Sequence, residues 1–167
     1  MERLRLNRLL KEKAIELGAC YKGISNMERV LTEGELVDLW KNFIDFGIEK
    51  DFPEKDFIKE NLDEGLLHEK GVYVDEKVTV ENKSGIMVLN GKCVGSVMMN
   101  GYSVCSVYVR HDCDVNIVVG GMAKVFVHCY DDCKVNVVQK EMGRVFLYMH
   151  DRSEEEHEGE VSVRWKK

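Results

Sequence analysis

The chain changes its hydrophobic period near residue 71. Before that point apolar residues recur at helical spacing: Leu6, Leu9, Leu10, Ala14 and Leu17 lie three and four apart, with Arg, Lys and Glu between them. Gly18 then sits where a left-handed C-terminal cap is wanted. Thr32 with Glu35 reads as a capping box opening a second helix, which carries Leu36, Leu39, Trp40, Phe43 and Ile44 on one side and stops at Gly47. Pro53 suits the first turn of a third helix whose apolar face is Phe57, Ile58 and Leu62. Short helices with one apolar side must bury it, so residues 1–70 read as a helical capping region.

After Gly71 the pattern becomes alternation. Val72-Tyr73-Val74 and Val78-Thr79-Val80 are short strand signals around Asp75-Glu76-Lys77. From Ser84 the chain divides into blocks of ten. The second, fourth and sixth places of each block are mostly Val, Ile, Leu, Met or Cys, as in Val115, Ile117 and Val119. The last four places are rich in turn-forming and charged residues, so each block is a strand of about six residues and a turn of about four. Alternate blocks match best: Cys93, Cys113 and Cys133 share a slot, as do Asn116 and Asn136, Phe126 and Phe146, and Met122 and Met142. A period of 20 made of two half-turns describes a parallel solenoid coil, in which residue i lies against residue i+20 at ~4.8 Å.

An antiparallel meander of ten-residue strand–turn units is the alternative, but it puts residues 20 apart two strands away, where like residues have no reason to match. The prediction is therefore an α+β chain with a helical cap over 1–70 and a parallel β-solenoid over 71–167, the repeat from Ser84 to Ser153 making about three and a half coils. Glu154, Glu155, Glu156, Glu158 and Glu160 read as a solvated loop. Val161, Val163 and Trp165 then alternate as a closing strand, with Trp165 plugging the open end.

In its alternation and its Cys and Asn ladders, the region 84–153 resembles the β-helix and β-roll repeats of bacterial and phage proteins. The resemblance implies architecture only. The GGxGxD calcium repeat of roll-forming toxins is absent, as is the strict six-residue period of left-handed acyltransferase helices, so neither activity carries over.

Composition narrows the functional classes. Net charge is −6, from 24 Lys+Arg against 30 Asp+Glu, which disfavours a binder of phosphate backbones. Arg3, Arg5, Arg8, Lys11 and Lys13 make the first helix basic, yet the rest of the helical half is acidic. No apolar run reaches the ~18–20 residues of a membrane span, and the start lacks the apolar stretch of a signal peptide, so a cytoplasmic protein with reduced thiols is expected. No CxxC pair, nucleophile elbow or phosphate loop occurs, so the reading leans away from an enzyme and calls for no cofactor.

Two surfaces carry candidate chemistry. Slots three and five should point outward, which puts Tyr108, Phe126, His128, Phe146 and Tyr148 on one exterior sheet face. Such a patch marks an interface, covered by the helices, by a protein partner or by a second copy; an alternative is a sugar-stacking platform. The turns Arg110–Cys113, Tyr130–Cys133 and His150–Ser153 gather His111, Asp112, Asp131, Asp132 and His150. These residue types can hold zinc or a similar ion, in a metal-binding protein or a metal-assisted enzyme. The simpler expectation is a ladder of surface pairs, His111 with Asp131 and Asp132 with Arg152. Together the expectations describe a non-enzymatic interaction or structural module with a repetitive face for a protein partner or for itself.

Overall fold

A computed structural model describes residues 2–166 and divides into two compact units, Met1–Lys70 and Gly71–Lys167. The first is helical: α1 (Arg3–Glu16), α2 (Tyr21–Ser25), α3 (Glu33–Asn42), α4 (Ile44–Lys50), α5 (Lys55–Asn61) and α6 (Glu64–Glu69). α1 buries Leu6, Leu10 and Ala14, spaced by four, and ends in a Schellman turn. There Gly18 is left-handed at φ +87°, its N–H donates to the Ile15 carbonyl at 3.0 Å, and the Ala19 N–H reaches the Ala14 carbonyl at 2.9 Å. The capping box is present: the Glu35 N–H donates to Thr32 Oγ1 at 3.2 Å, and the Thr32 N–H to Glu35 Oε2 at 3.0 Å. Arg29 bonds the same carboxylate and holds it below the usual range. Buried Asn7 clamps the segment ahead of α3 by exchanging two hydrogen bonds with the Leu31 backbone.

Three details differ from the sequence reading. The second helix breaks at Phe43, whose φ of −117° and ψ of +38° leave the helical range, so α3 and α4 replace one rod. Gly47 lies inside α4 rather than ending a helix; a Cβ there would sit 2.5 Å from Trp40 Nε1, which donates to the Phe52 carbonyl. Close approach, not termination, requires that glycine. Pro53 precedes α5, whose N-cap is Glu54. The short helices α2 and α6 carry too few apolar positions to show a period.

The second unit is a parallel β-solenoid of about five coils. Its strands are β1 (Val72–Val74), β2 (Lys77–Glu81), β3 (Gly85–Asn90), β4 (Val94–Met99), β5 (Val104–Val109), β6 (Asp114–Val119), β7 (Lys124–Cys129), β8 (Lys134–Gln139), β9 (Arg144–Met149), β10 (Glu154–Glu158) and β11 (Val161–Trp165). They form two sheets, β1-β3-β5-β7-β9-β11 and β2-β4-β6-β8-β10, with every neighbouring pair parallel. Partners in the middle lie 20 residues apart, as Val115 with Val135 and Val125 with Val145. The meander is thereby excluded.

Slots two, four and six point inward and make one apolar column after another: Val115, Ile117, Val119, Val125, Val127 and Leu147 are each buried. The last turn residue also points inward, and only small side chains occupy it: Cys93, Cys113, Ala123, Cys133 and Ser153. The coil spacing tightens at both ends. Val72 pairs with Val88 and Lys77 with Val94, so β1 and β2 form a first coil the repeat count did not include. Val161 pairs with Val145 at the other end.

The acidic segment is not a loop. Glu154–Glu158 is β10, in register with β8, where Glu154 faces Lys134. Its two inward slots hold Glu155 and His157, which bond each other at 2.8 Å instead of extending the apolar column. Polar, hydrogen-bonded side chains at the inward slots of an edge strand discourage further stacking. Trp165 aligns with Met149 but is 57% exposed, so it does not seal the core.

Candidate functional site

Each central coil turns through a residue with positive φ, recurring every ten positions: Gly91, Gly101, His111, Gly121, Asp131, Glu141 and Asp151, at +52° to +73°. Glycine, Asn and Asp tolerate this conformation best. The turns that follow β3, β5, β7 and β9 convert it into a hydrogen-bonded column. The Gly91 N–H donates to His111 Nδ1 at 2.9 Å, the His111 N–H to Asp131 Oδ2 at 3.0 Å, and the Asp131 N–H to Asp151 Oδ2 at 2.9 Å. Each side chain thus satisfies the backbone of the preceding coil, a group that strand pairing leaves open. A backbone donor at Nδ1 requires that nitrogen to be unprotonated, so in this arrangement His111 carries its proton on Nε2.

This column places the metal candidates. His111 and Asp131 lie in the ladder. Asp132 pairs with Arg152 at 2.9 Å, as expected for the simpler reading. His150 belongs to a different column, stacked on the Tyr130 ring at 4.4 Å, and Asp112 is exposed. Among the described residues these five do not bring three ligand atoms within 4.8 Å of one another. Between His111 and Asp131 the hydrogen bond runs from the His111 backbone N–H to the Asp131 carboxylate. Below His150 and Tyr130 in the same column, Arg110 is buried and donates to Asn90 Oδ1 at 3.1 Å.

The predicted aromatic face is brought together on β5, β7 and β9. Tyr108, His128 and Tyr148 form one ladder, with ring centroids 4.6 and 4.9 Å apart and planes within 14°. Phe126 and Phe146 form a second at 5.2 Å and 17°. All five are half-buried. Cations close the strip: Lys124 lies over both phenylalanine rings, Arg144 over Phe146 and Lys166 over Tyr148, each 5.2–5.7 Å from a centroid. The rings therefore spend their faces on one another and turn their edges outward. The outward positions of β11 add Ser162 and Arg164. This strip is basic in a chain of net charge −6.

No protein-family model matches the chain, and no curated protein or solved structure is significantly similar to it. Function rests on its own geometry.

All six cysteines are free, and only Cys20 is exposed. Cys113 and Cys129 are pushed above the ordinary thiol range, first by hydrogen bonding with the neighbouring thiols of Cys93 and Cys133 and then by burial. At neutral pH they are protonated and inert, which suits packing. A feature the sequence reading passed over is the opposite corner, where Tyr102, Met122 and Met142 lie 20 apart and stand 82%, 53% and 69% exposed. The shared slot of Met122 and Met142 was visible; that turn side chains in this slot point to solvent follows only from the corner geometry.

Proposed function

We propose that this chain is a non-enzymatic interaction module whose solenoid presents the face built by β5, β7 and β9 to an acidic protein surface. One observation carries the reading: two self-stacked ring ladders bordered by Lys124, Arg144, Arg164 and Lys166. Stacking holds the rings in fixed positions, so little side-chain freedom is lost when a partner covers them. The cations supply the charge complementarity that orients an encounter. A second copy offers an acidic surface of its own in β10, which makes self-association the other form of the same function. A sugar platform draws less support, because its stacking needs open ring faces and these are taken by neighbours.

Sedimentation velocity over a range of protein concentrations, with and without poly-glutamate as an acidic probe, tests the proposal. Salt-sensitive binding of the probe or reversible self-association is expected, and the double variant Phe126→Ser/Phe146→Ser should abolish it. The variant loses one ring pair worth ~0.5–1.5 kcal/mol beyond area, so it should remain folded. Unchanged association, stability and probe binding in that variant would overturn the reading.

A further inference from the structure

The helical unit leaves a space that its own side chains do not fill. A half-open apolar pocket of about 240 Å³ lies among α1, α2, α3 and α4, with Ala14, Leu36, Trp40, Phe43, Phe46 and Phe52 on its walls. One buried cluster of the unit gathers Leu6, Leu10, Leu31 and Leu36, and Val37, Ile44, Ile58 and Leu67 are buried as well. Trp40, Phe43 and Phe46, the side chains with most apolar area to hide, stay only half-buried because they face the void. Concave pockets lined mainly by hydrophobic and aromatic side chains are where small apolar guests bind.

We infer that this cavity is a binding site for an uncharged apolar small molecule of one to two rings, or an equivalent short acyl chain. Its size and its walls set the class. No charged residue lines it. The indole N–H of Trp40, the obvious polar anchor, is already committed to the Phe52 carbonyl at 3.0 Å. The neighbouring cleft, which shares Leu10, Phe52 and Pro53 with the cavity, mixes Lys13 and Lys50 with Asp51 and Glu54 and so offers no clear counter-charge for an ionised head. Burying a charge without a partner is costly, so the guest is neutral. Cys20 stands at the rim, exposed, with its sulfur accepting the Gly23 N–H at 3.4 Å; it serves as a reporter rather than as part of the chemistry.

The experiment uses the full chain and N-phenyl-1-naphthylamine, a neutral fluorophore that brightens in apolar sites. Saturable binding of one equivalent is expected, in the range of ~10 µM for a ligand of this size. Displacement by 1-decanol should be roughly tenfold more effective than by decanoate, since only the latter must bury a charge. Gly23→Leu is the decisive variant. A Cβ at Gly23 meets Cys20 Sγ at 3.7 Å and Phe43 Cε1 at 4.0 Å, ordinary contacts, so the leucine enters the cavity without backbone strain. It should abolish fluorophore binding while leaving the melting temperature equal or higher.

A second readout needs no variant. One thiol per folded chain should react with an aromatic disulfide reagent, because the other five cysteines are buried, and 1-decanol should slow that reaction several-fold. Absence of saturable binding overturns the inference. So does binding that neither protects Cys20 nor responds to Gly23→Leu, which would place the guest elsewhere.

Discussion

Gly95→Ala is expected to lower the melting midpoint of the solenoid by about 10 °C, a loss of ~3–4 kcal/mol for a chain of this size. Gly95 occupies an inward slot of β4, between Val78 of β2 and Val115 of β6. Its φ of +148° turns the missing side chain toward β2, so that a Cβ would fall far inside contact distance of the Val78 carbonyl oxygen and 2.9 Å from the Val78 carbonyl carbon and nitrogen. All three atoms are backbone, and no rotamer relieves them. Overpacking of this kind costs ~1–3 kcal/mol or more, and the glycine-only conformation adds about 1 kcal/mol. Gly101→Ala is the control: it also has positive φ, at +60°, but nothing lies within 4 Å of its Cβ. It should cost about 1 kcal/mol, the conformational part alone. Thermal melts followed in the β region of the circular dichroism spectrum measure both. Hydrogen exchange should show lost protection in β2 for Gly95→Ala only. Equal losses in the two variants would mean that the close approach of β2 and β4 does not matter.

That close approach lies where the sequence was hardest to read. The repeat is legible from Ser84 to Ser153 because both sheets bury most of their inward slots and the central slots are answered by partners 20 residues on. The first coil obeys the same alternation but at a tighter offset, Lys77 with Val94, so a fixed comb of ten misses it. β10 fails the comb for a different reason. Its inward slots hold Glu155 and His157, and a hydrophobic pattern cannot report a strand whose interior positions are a hydrogen-bonded polar pair.

The candidate site shows the same division. Columns were legible; what they do was not. The aromatic ladders followed from counting, but whether rings offer faces or edges depends on side-chain rotamers. His111, Asp131 and Asp151 were visible as a column of metal-ligand types. The signal that reassigns them was also present, since Gly91, Gly101 and Gly121 hold the equivalent slot of other blocks and mark it as a backbone position. The cavity of the helical unit had no signature, because it arises from how α1–α4 pack and from a five-residue helix too short to carry a period.

The backbone role of that column makes the second large prediction, a ranked series at Asp131. Alanine should be worst, at ~2 kcal/mol: it removes the acceptor of the His111 N–H, worth ~0.5–1.5 kcal/mol, and holds an ordinary residue in the left-handed region for about 1 more. Glycine relieves the conformation and loses only the acceptor, so it should cost about 1 kcal/mol. Asparagine keeps the acceptor, tolerates φ of +59° and removes one of two carboxylates stacked on successive coils, Asp131 and Asp151, so it should be within ~0.5 kcal/mol of the parent. Hydrogen exchange at His111 supplies the local readout, with protection kept in the asparagine variant and lost in the other two. The series also separates the two readings of these turns. A carboxylate that held a cation would be crippled by asparagine, which is a far weaker ligand, and a chelator would destabilise the parent as the substitution does. A carboxylate that holds a backbone N–H needs above all an acceptor oxygen in that place, which the amide also supplies, so asparagine should largely serve.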